Sequence, residues 1–222
     1  MKLATWNVNS LTVRLGQVED WVKKAQPDLL LLQETKQENI KFPHDAISAL
    51  GYHAIHNGQK TYNGVAIISK YELFDIQNNM PDFEDEQKRL IAATVNTDYG
   101  KIRIVCVYVP NGQSVDSDKY QYKLDWLKHF TVWLKNEMVS FPDIIIAGDF
   151  NIAPQDIDCH DPEAWKNNIL VSPKERDAFQ KIIDLGLSDN FRAMNPTEIQ
   201  YSWWDYRMAG FRRNLGMRID HI

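Results

Sequence analysis

The sequence predicts an α/β protein, because apolar runs of strand length alternate with amphipathic segments of helical period. The chain has 222 residues, of which 44% are hydrophobic and 25% are charged, as in ordinary globular proteins. No internal repeat and no low-complexity linker divides it. We therefore predict a single domain over residues 1–222.

Five of the predicted strands are almost continuously apolar, as strands buried on both faces are. They are Asp28–Gln33, Gly64–Ser69, Arg89–Val95, Ile102–Val109 and Asp143–Ala147. A sixth predicted strand, Lys2–Val8, is short and ends in polar residues. Chemically capable residues stand at or beside four strand ends, at Asn7, Glu34, Tyr108 and Asp149. Since ligands of α/β folds gather at the carboxyl ends of strands, we expect these residues to share an active-site rim.

The helical segments show apolar residues three or four positions apart. Leu15–Ala25 and Tyr120–Val139 have this pattern. A further helix is predicted to begin at Ser172-Pro173-Lys174-Glu175, where a capping serine, a proline and a glutamate follow one another. Gly186 is its predicted end.

Composition excludes several classes of protein. No run of about 18 apolar residues is present, so no membrane span is expected. Cys106 and Cys159 are too few for a disulfide framework, and we expect reduced thiols and a cytoplasmic location. The net charge of −5 argues weakly against a nucleic-acid partner. His and Cys residues do not occur at zinc-binding spacing.

Two strand ends carry the carboxylates of a candidate metal site. Glu34 closes a buried strand, and Gly148 allows close backbone approach before Asp149. Magnesium takes oxygen ligands and usually only one or two carboxylates. Glu34 and Asp149 would provide the carboxylates, and Asn7 would provide an amide oxygen. An ordinary turn is the alternative interpretation of the segments around Asp149 and around Asn111.

Six short motifs together resemble bacterial exonuclease III and the wider exonuclease–endonuclease–phosphatase superfamily, in the order in which that family has them. They are Trp6-Asn7-Val8-Asn9, Leu32-Gln33-Glu34-Thr35-Lys36, Tyr108-Val109-Pro110-Asn111, Gly148-Asp149-Phe150-Asn151-Ile152-Ala153-Pro154, Trp203-Trp204-Asp205-Tyr206-Arg207 and Arg218-Ile219-Asp220-His221. They span nearly the whole chain.

The resemblance implies a DNase I-like fold, a four-layer α/β sandwich with two packed mixed β-sheets flanked by helices. It implies a magnesium-dependent phosphodiesterase of DNA base-excision repair, with Mn²⁺ as the alternative ion. The implied activities are incision 5′ to abasic sites, 3′-end processing and 3′→5′ exonuclease action, and the implied partner is duplex DNA with abasic sites or blocked 3′ ends. We expect a monomer.

The resemblance also implies residue roles. The implied metal-binding set is Asn7, Glu34, Asp149 and Asn151, and the implied catalytic set is Tyr108, Asp149, Asn151 and Asp220. Asp149 would orient or deprotonate the attacking water, and Tyr108 would contact the phosphate.

The segment Tyr201–Arg218 interleaves aromatic residues with arginines, a composition that suits DNA despite the acidic net charge. Together with the turn after Tyr108, it supplies the predicted substrate-binding residues Asn111, Trp203, Trp204, Arg207, Arg212 and Arg213. The alternative is an ordinary folded segment with solvated arginines.

The Ser-Asp-His-Ala-Pro motif near the C-terminus of the family is absent here. Asp220-His221 does not replace it, because neighbouring residues of a strand point to opposite faces, and His221 is interpreted as structural. Since the family continues for about 30–40 residues, we expect this chain to be a fragment of a longer protein whose domain lacks its last strands here.

Two other functions stay open. One is a phosphatase or phospholipid phosphodiesterase of the same superfamily, with the same metal site. The other is a truncated, catalytically impaired DNA-binding module. The acidic residues Glu34, Asp149 and Asp220 argue against a pure binder, which has no need of acids beside phosphate.

Overall fold

The computed structural model describes residues 1–222, except for the side chain of residue 208. The chain forms two compact units, Met1–Tyr108 with Asn136–Asp149, and Val109–Lys135 with Phe150–Ile222. The organisation of residues 1–222 as one domain stays a prediction. No helix among the described residues is both long and apolar enough to cross a lipid bilayer.

The elements alternate along the chain as the sequence predicts. The strands are β1 (Leu3–Asn7), β2 (Leu29–Gln33), β3 (His53–Asn57), β4 (Val65–Ser69), β5 (Leu73–Asn78), β6 (Leu90–Thr97), β7 (Gly100–Tyr108), β8 (Ile144–Asp149), β9 (Trp203–Trp204), β10 (Gly216–Met217) and β11 (Asp220–His221). The helices are α1 (Leu11–Ala25), α2 (His44–Ala49), α3 (Asp118–Ser140), α4 (Pro162–Trp165), α5 (Pro173–Ile183) and α6 (Asn190–Met194), with 3₁₀ turns at Asn39–Lys41, Asp156–Asp158 and Arg207–Ala209.

Two mixed sheets form the core of the first unit. In one the strand order is β1-β2-β4-β3, with β1 and β2 parallel and the other pairs antiparallel. In the other the order runs β8-β7-β6-β5, with only the β7–β8 pair parallel. The sheets face each other, with β1 and β2 against β8 and β2 also against β7. Strands buried on both faces account for the continuous apolar runs in the sequence.

Helices flank the two sheets. An apolar cluster that includes Val18, Val22 and Ile47 joins α1 and α2 to the first sheet. On the second sheet, Arg103 of β7 forms an ion pair with Glu137 of α3, with 2.6 Å between Nη2 and Oε1. The predicted fold class, an α/β sandwich with two mixed sheets flanked by helices, is therefore confirmed.

One predicted helix boundary was wrong, and two strands were not predicted. Helix α1 begins at Leu11 rather than Leu15, because backbone carbonyls of Glu34 and Thr35 accept hydrogen bonds from Ser10 and Leu11 and so satisfy donors at the helix start. The sequence gives no apolar run for β3 and β5, which lie at sheet edges and are partly exposed. Helix α5 begins at the predicted capping box.

The second unit has its own core. An apolar cluster there consists of Ala153, Cys159, Leu170, Val171, Met217 and Ile219, with Trp165, Ile169 and Trp203 packed against it. Cys159 is buried and free, as is Cys106 in the first unit. Strands β9 and β10 pair as a short antiparallel ribbon.

Candidate active site

The strand ends of the first unit bring four predicted site residues together. Asn7 ends β1, and Glu34 follows β2, its parallel neighbour, one residue beyond the Asn7–Gln33 pair. Tyr108 and Asp149 end β7 and β8, and they stand opposite each other in the parallel register. Parallel pairing places the carboxyl ends side by side within each strand pair, and the packing of the two sheets brings the two pairs together, as the sequence predicts.

Hydrogen bonds join these side chains into one cluster. The Asn7 amide donates from Nδ2 to Glu34 Oε1 at 2.8 Å and to Asp149 Oδ2 at 2.9 Å. The Tyr108 hydroxyl donates to Glu34 Oε1 at 2.8 Å. Asp149 is only 4% exposed. A single amide thus bridges two carboxylates that would otherwise repel each other.

Lys36 belongs to one of the six motifs, where it has no predicted role. Its ammonium lies 2.9 Å from Glu34 Oε2 and also donates to the side-chain oxygen of Asn9. Both Glu34 and Lys36 have left-handed backbone, with φ values of 53° and 54°. In the sequence, the ion pair of Glu34 and Lys36 is indicated by their separation of two positions.

Hydrogen bonding keeps Glu34 ionised. Burial by itself raises the pKa of this carboxyl, but hydrogen bonds from Asn7, Lys36 and Tyr108 outweigh it and hold the pKa below its usual range. Burial, followed by the charges of Glu34 and Asp149, raises the pKa of the Tyr108 hydroxyl. That hydroxyl therefore stays protonated and remains a hydrogen-bond donor.

Arg89, for which the sequence predicts no functional role, contacts Tyr108 of the cluster. Its guanidinium lies over the Tyr108 ring, 4.6 Å from the ring centroid, and its Nη1 donates to the Tyr108 carbonyl at 3.2 Å. The backbone N–H of Tyr108 donates to the Arg89 carbonyl at 2.8 Å. Arg89 is not close to Tyr108 in the sequence, and only the register of β6 and β7 brings the two together.

In the second unit, Asn111 and Asn151 form a pair. Asn111 Nδ2 donates to Asn151 Oδ1 at 3.0 Å, and Asn151 Nδ2 donates to the Val109 carbonyl at 3.0 Å. Asn151 is buried and has a φ of 51°, a left-handed conformation that asparagine tolerates better than most residues. The structure thus brings together the two asparagines that the sequence assigned to separate roles.

Asp220 and His221 of β11 have different surroundings. The backbone N–H of Asp220 donates to Ser202 Oγ at 3.1 Å, and its side chain is half-buried. His221 is buried, its Nε2 lies 2.8 Å from the Ile152 carbonyl, and its Nδ1 lies 2.9 Å from Arg218 Nη1. Because the carbonyl needs a donor and the guanidinium needs an acceptor, His221 is the neutral Nε2–H tautomer.

Burial, and next the charge of Arg218, lowers the pKa of His221 to about 4, which keeps the ring neutral. Arg218 in turn bonds to Asp158 and Asp189. His221 therefore contributes to a buried polar network, in agreement with its structural interpretation.

The predicted substrate-binding residues of the second unit have different environments. Trp203 and Trp204 are partly buried, and Trp204 Nε1 donates to Asn214 at 3.1 Å. Arg207 is 86% exposed but forms an ion pair with Asp205, at 2.7 Å between Nη2 and Oδ2. Arg212 and Arg213 are exposed.

The oxygen atoms of the first unit suit a hard divalent cation. Glu34 and Asp149 supply two carboxylates, and Mg²⁺ usually needs no more than that from a protein. Asn7 Oδ1 accepts from the Asn9 backbone at 3.0 Å, but an amide oxygen has a second lone pair for an ion. Among the described side chains, no three His, Cys, Asp or Glu residues form a metal-binding group. The donors present therefore fit the sparse ligation of Mg²⁺.

Three solved structures resemble the protein closely. A 3′ phosphatase, NExo from Neisseria, bound to a product DNA hairpin, has 46% sequence identity and a TM-score of 0.96, over 100% of this chain and 85% of that one. The 3′–5′ exonuclease NExo from Neisseria meningitidis gives the same identity, coverage and TM-score. An AP endonuclease from Archaeoglobus fulgidus has 40% identity and a TM-score of 0.93, with the same coverage.

Sequence comparison agrees with structural comparison. The exodeoxyribonuclease III of Haemophilus influenzae is 38% identical over 231 aligned positions, which cover 100% of this chain and 86% of that protein. The family model described as "Endonuclease/Exonuclease/phosphatase family" matches residues 4–222. These matches confirm the predicted resemblance and the prediction that the protein is an enzyme, a hydrolase of the exonuclease III type. The chain belongs to the Endonuclease/Exonuclease/phosphatase family.

Proposed function

We propose that the protein is a divalent-metal-dependent DNA phosphodiesterase of base-excision repair that uses Mg²⁺ and accepts Mn²⁺ in its place. The observation that carries this proposal is the cluster of Asn7, Glu34, Tyr108 and Asp149 at the strand ends of the first unit. Similarity to a 3′ phosphatase that holds product DNA, and to an AP endonuclease, supports DNA as the substrate. The proposed substrates are duplexes with abasic sites or blocked 3′ ends, cleaved by the protein as a monomer.

The proposed roles follow the chemistry of each side chain. Glu34 and Asn7 would hold the ion, with Asp149 and Asn151 assisting. When bound, the ion supplies positive charge that offsets the charge building on the phosphate and on the leaving oxygen. Asp149 accepts the proton of the attacking water or orients that water. Tyr108, kept protonated, would donate its single hydroxyl hydrogen to a phosphate oxygen in place of Glu34 Oε1 when the substrate binds.

Further assignments complete the proposal. Asp220 belongs to the acidic set, and Asn111 contacts the phosphate. Trp203 and Trp204 present partly buried aromatic faces suited to a base or an abasic sugar. Arg212 and Arg213 contact the DNA backbone.

Free, buried Cys106 and Cys159 fit a reducing compartment, which supports the proposed cytoplasmic location.

A substrate panel tests the proposed function. We expect Mg²⁺-dependent cleavage of an abasic-site duplex, a 3′-phosphate duplex or both, and no release of phosphate from inositol phosphates or cleavage of sphingomyelin. Activity on the last two substrates alone would establish the phosphatase or phospholipid alternative. DNA binding that EDTA leaves unchanged, without any cleavage, would establish the binding module.

The hydroxyl of Tyr108 is expected to matter for the chemical step. Tyr108→Phe removes the donor to Glu34 Oε1 and leaves the buried ring in place, so kcat on the 3′-phosphate duplex should fall about 10- to 100-fold. Tyr99→Phe, which alters a hydroxyl on a residue that is 81% exposed, is the control and should leave kcat unchanged. A Tyr108→Phe enzyme with wild-type kcat would remove this residue from the proposed mechanism.

The salt dependence of DNA binding shows which arginines contact DNA phosphates. The logarithm of the DNA-binding constant falls linearly with the logarithm of the salt concentration. Arg212→Gln and Arg213→Gln should each make that slope shallower by about 0.9, the value for one phosphate contact with duplex DNA. Arg207→Gln should change the slope less, because Asp205 already neutralises that guanidinium. Lys135→Gln, at an exposed position of α3, is the control. Equal slopes for the wild type and both variants would exclude Arg212 and Arg213 from the DNA contact.

A further inference from the structure

Lys123 of α3 is a completely buried cation outside the cluster of Asn7, Glu34, Tyr108 and Asp149. Its side chain and that of Glu175, at the start of α5, are both 0% exposed, and the two form an ion pair between Nζ and Oε1. Burying two charges costs several kcal/mol per ion before their attraction offsets it. A pair of apolar residues of similar volume would often be as stable, so stability alone does not explain the charge.

The ammonium also bonds to two backbone carbonyls. Lys123 Nζ donates to the Asn151 carbonyl at 2.7 Å and to the Asn111 carbonyl at 3.2 Å. These are the two residues whose side chains bond to each other at 3.0 Å. An ammonium can donate to several acceptors at once, whereas an apolar side chain would leave both carbonyls without this donor.

The other end of the ion pair is fixed as well. The Glu175 carboxylate accepts hydrogen bonds from the backbone N–H groups of Leu170 and Ser172, both at 3.1 Å. Ser172 Oγ also bonds to this carboxylate and lies 2.6 Å from the Tyr120 hydroxyl. The capping box of α5 thus holds the carboxylate, and the carboxylate holds the ammonium.

The stem of Lys123 packs against the turn after Asn111. A Cβ atom added to Gly112 would lie 3.2 Å from Lys123 Cδ and 2.8 Å from Ile169 Cδ1, and Gly112 has a φ of 92°. The turn therefore needs glycine to approach the lysine closely. Both the ammonium and the stem of Lys123 constrain the backbone at Asn111.

We propose that Lys123, held by Glu175, is a positioning residue that fixes the Asn111–Asn151 pair through its two backbone carbonyls. The proposal rests on the proposed function, in which Asn111 contacts the phosphate and Asn151 assists in holding the ion. A buried structural tie between α3 and α5 is the competing explanation, and it predicts lower stability without a specific effect on turnover.

The decisive variant is Lys123→Met/Glu175→Gln, which removes both charges and leaves neither one unpaired. We expect it to fold, with kcat on the 3′-phosphate duplex reduced about 10- to 100-fold and KM changed by less than about threefold, because the asparagines shift while the remaining substrate contacts persist. In an Asn151→Ala background, the same two changes should lower kcat by no more than about twofold further, because the positioned group is already gone.

A matched control is available on the same helix. Arg103 of β7 and Glu137 of α3 form another ion pair, largely buried, in which Arg103 also donates to a backbone carbonyl, that of Asp75. Arg103→Met/Glu137→Gln should lower the melting temperature without lowering the kcat of the folded enzyme.

Two results would overturn the proposal. One is a wild-type kcat for folded Lys123→Met/Glu175→Gln, and the other is an equal fold-loss with and without Asn151. If that variant does not fold, NMR of the wild-type protein still tests the premise, since scalar coupling from the Lys123 ammonium nitrogen to the carbonyl carbons of Asn111 and Asn151 must be present. Absence of the coupling refutes the proposal. Failure of the proposed function is distinct, because the wild type would then cleave neither duplex.

Discussion

Asp149→Asn is expected to lower kcat on the abasic-site duplex or the 3′-phosphate duplex by about 10³-fold, within the range that removal of a general base produces. Asparagine has nearly the same shape, and its Oδ1 can still accept the hydrogen bond that Asn7 donates to Asp149 at 2.9 Å. The substitution therefore preserves the cluster and removes the charge and the proton acceptor.

The measurement compares single-turnover cleavage rates of Asp149→Asn and the wild type at saturating Mg²⁺. Asp177→Asn is the control, because Asp177 is exposed and pairs only across one turn of α5 with Lys181. Its rate should match the wild type. More than about a tenth of the wild-type rate in Asp149→Asn would show that another group handles the water's proton.

Glu34→Gln is expected to cause a loss of similar size, about 10³-fold in kcat, together with weaker Mg²⁺ binding. The carboxylate accepts from Asn7 and Tyr108 and pairs with Lys36 at 2.9 Å. The amide that replaces this carboxylate would bring no negative charge to the ion and would present N–H donors where Lys36 needs an acceptor. Both changes weaken the proposed metal site more than they weaken the fold.

Two measurements distinguish an effect of Glu34→Gln on Mg²⁺ binding from an effect on the chemical step. Titration calorimetry with Mg²⁺ alone should show weaker binding to Glu34→Gln than to the wild type, and the Mg²⁺ concentration that gives half-maximal cleavage should rise. Glu38→Gln, a change four residues along at a more exposed carboxylate paired with Lys41, should alter neither readout. Wild-type Mg²⁺ affinity in Glu34→Gln would place the ion on other ligands.

The strand ends of the first unit were predictable because they follow a rule of backbone geometry. Apolar runs specify buried strands, and parallel pairing places the carboxyl ends of two neighbouring strands side by side. Asn7, Glu34, Tyr108 and Asp149 could therefore be assigned to one rim from their positions at the ends of such runs. The start of α5 was predictable for a similar reason, since its capping box involves residues only three positions apart.

Side-chain partners were less predictable, because they depend on distances between segments that are remote in the sequence. Nothing near Arg89 in the sequence indicates that it stacks on Tyr108, which only the β6–β7 register decides. The ion pair of Arg207 with Asp205 is local, yet composition alone does not reveal it, and the assignment of Arg207 to DNA stays a prediction.

By itself, the sequence determined the α/β class, the main strands and the carboxylates and amides of the candidate site, because these depend on periodicity and on short motifs. Only the tertiary structure decided that one amide bridges Glu34 and Asp149 and that a buried Lys123 bonds to the backbone of Asn111 and Asn151. The physical reason is that a buried polar group is satisfied by whichever partner the fold brings within about 3 Å. Sequence distance carries no information about that partner.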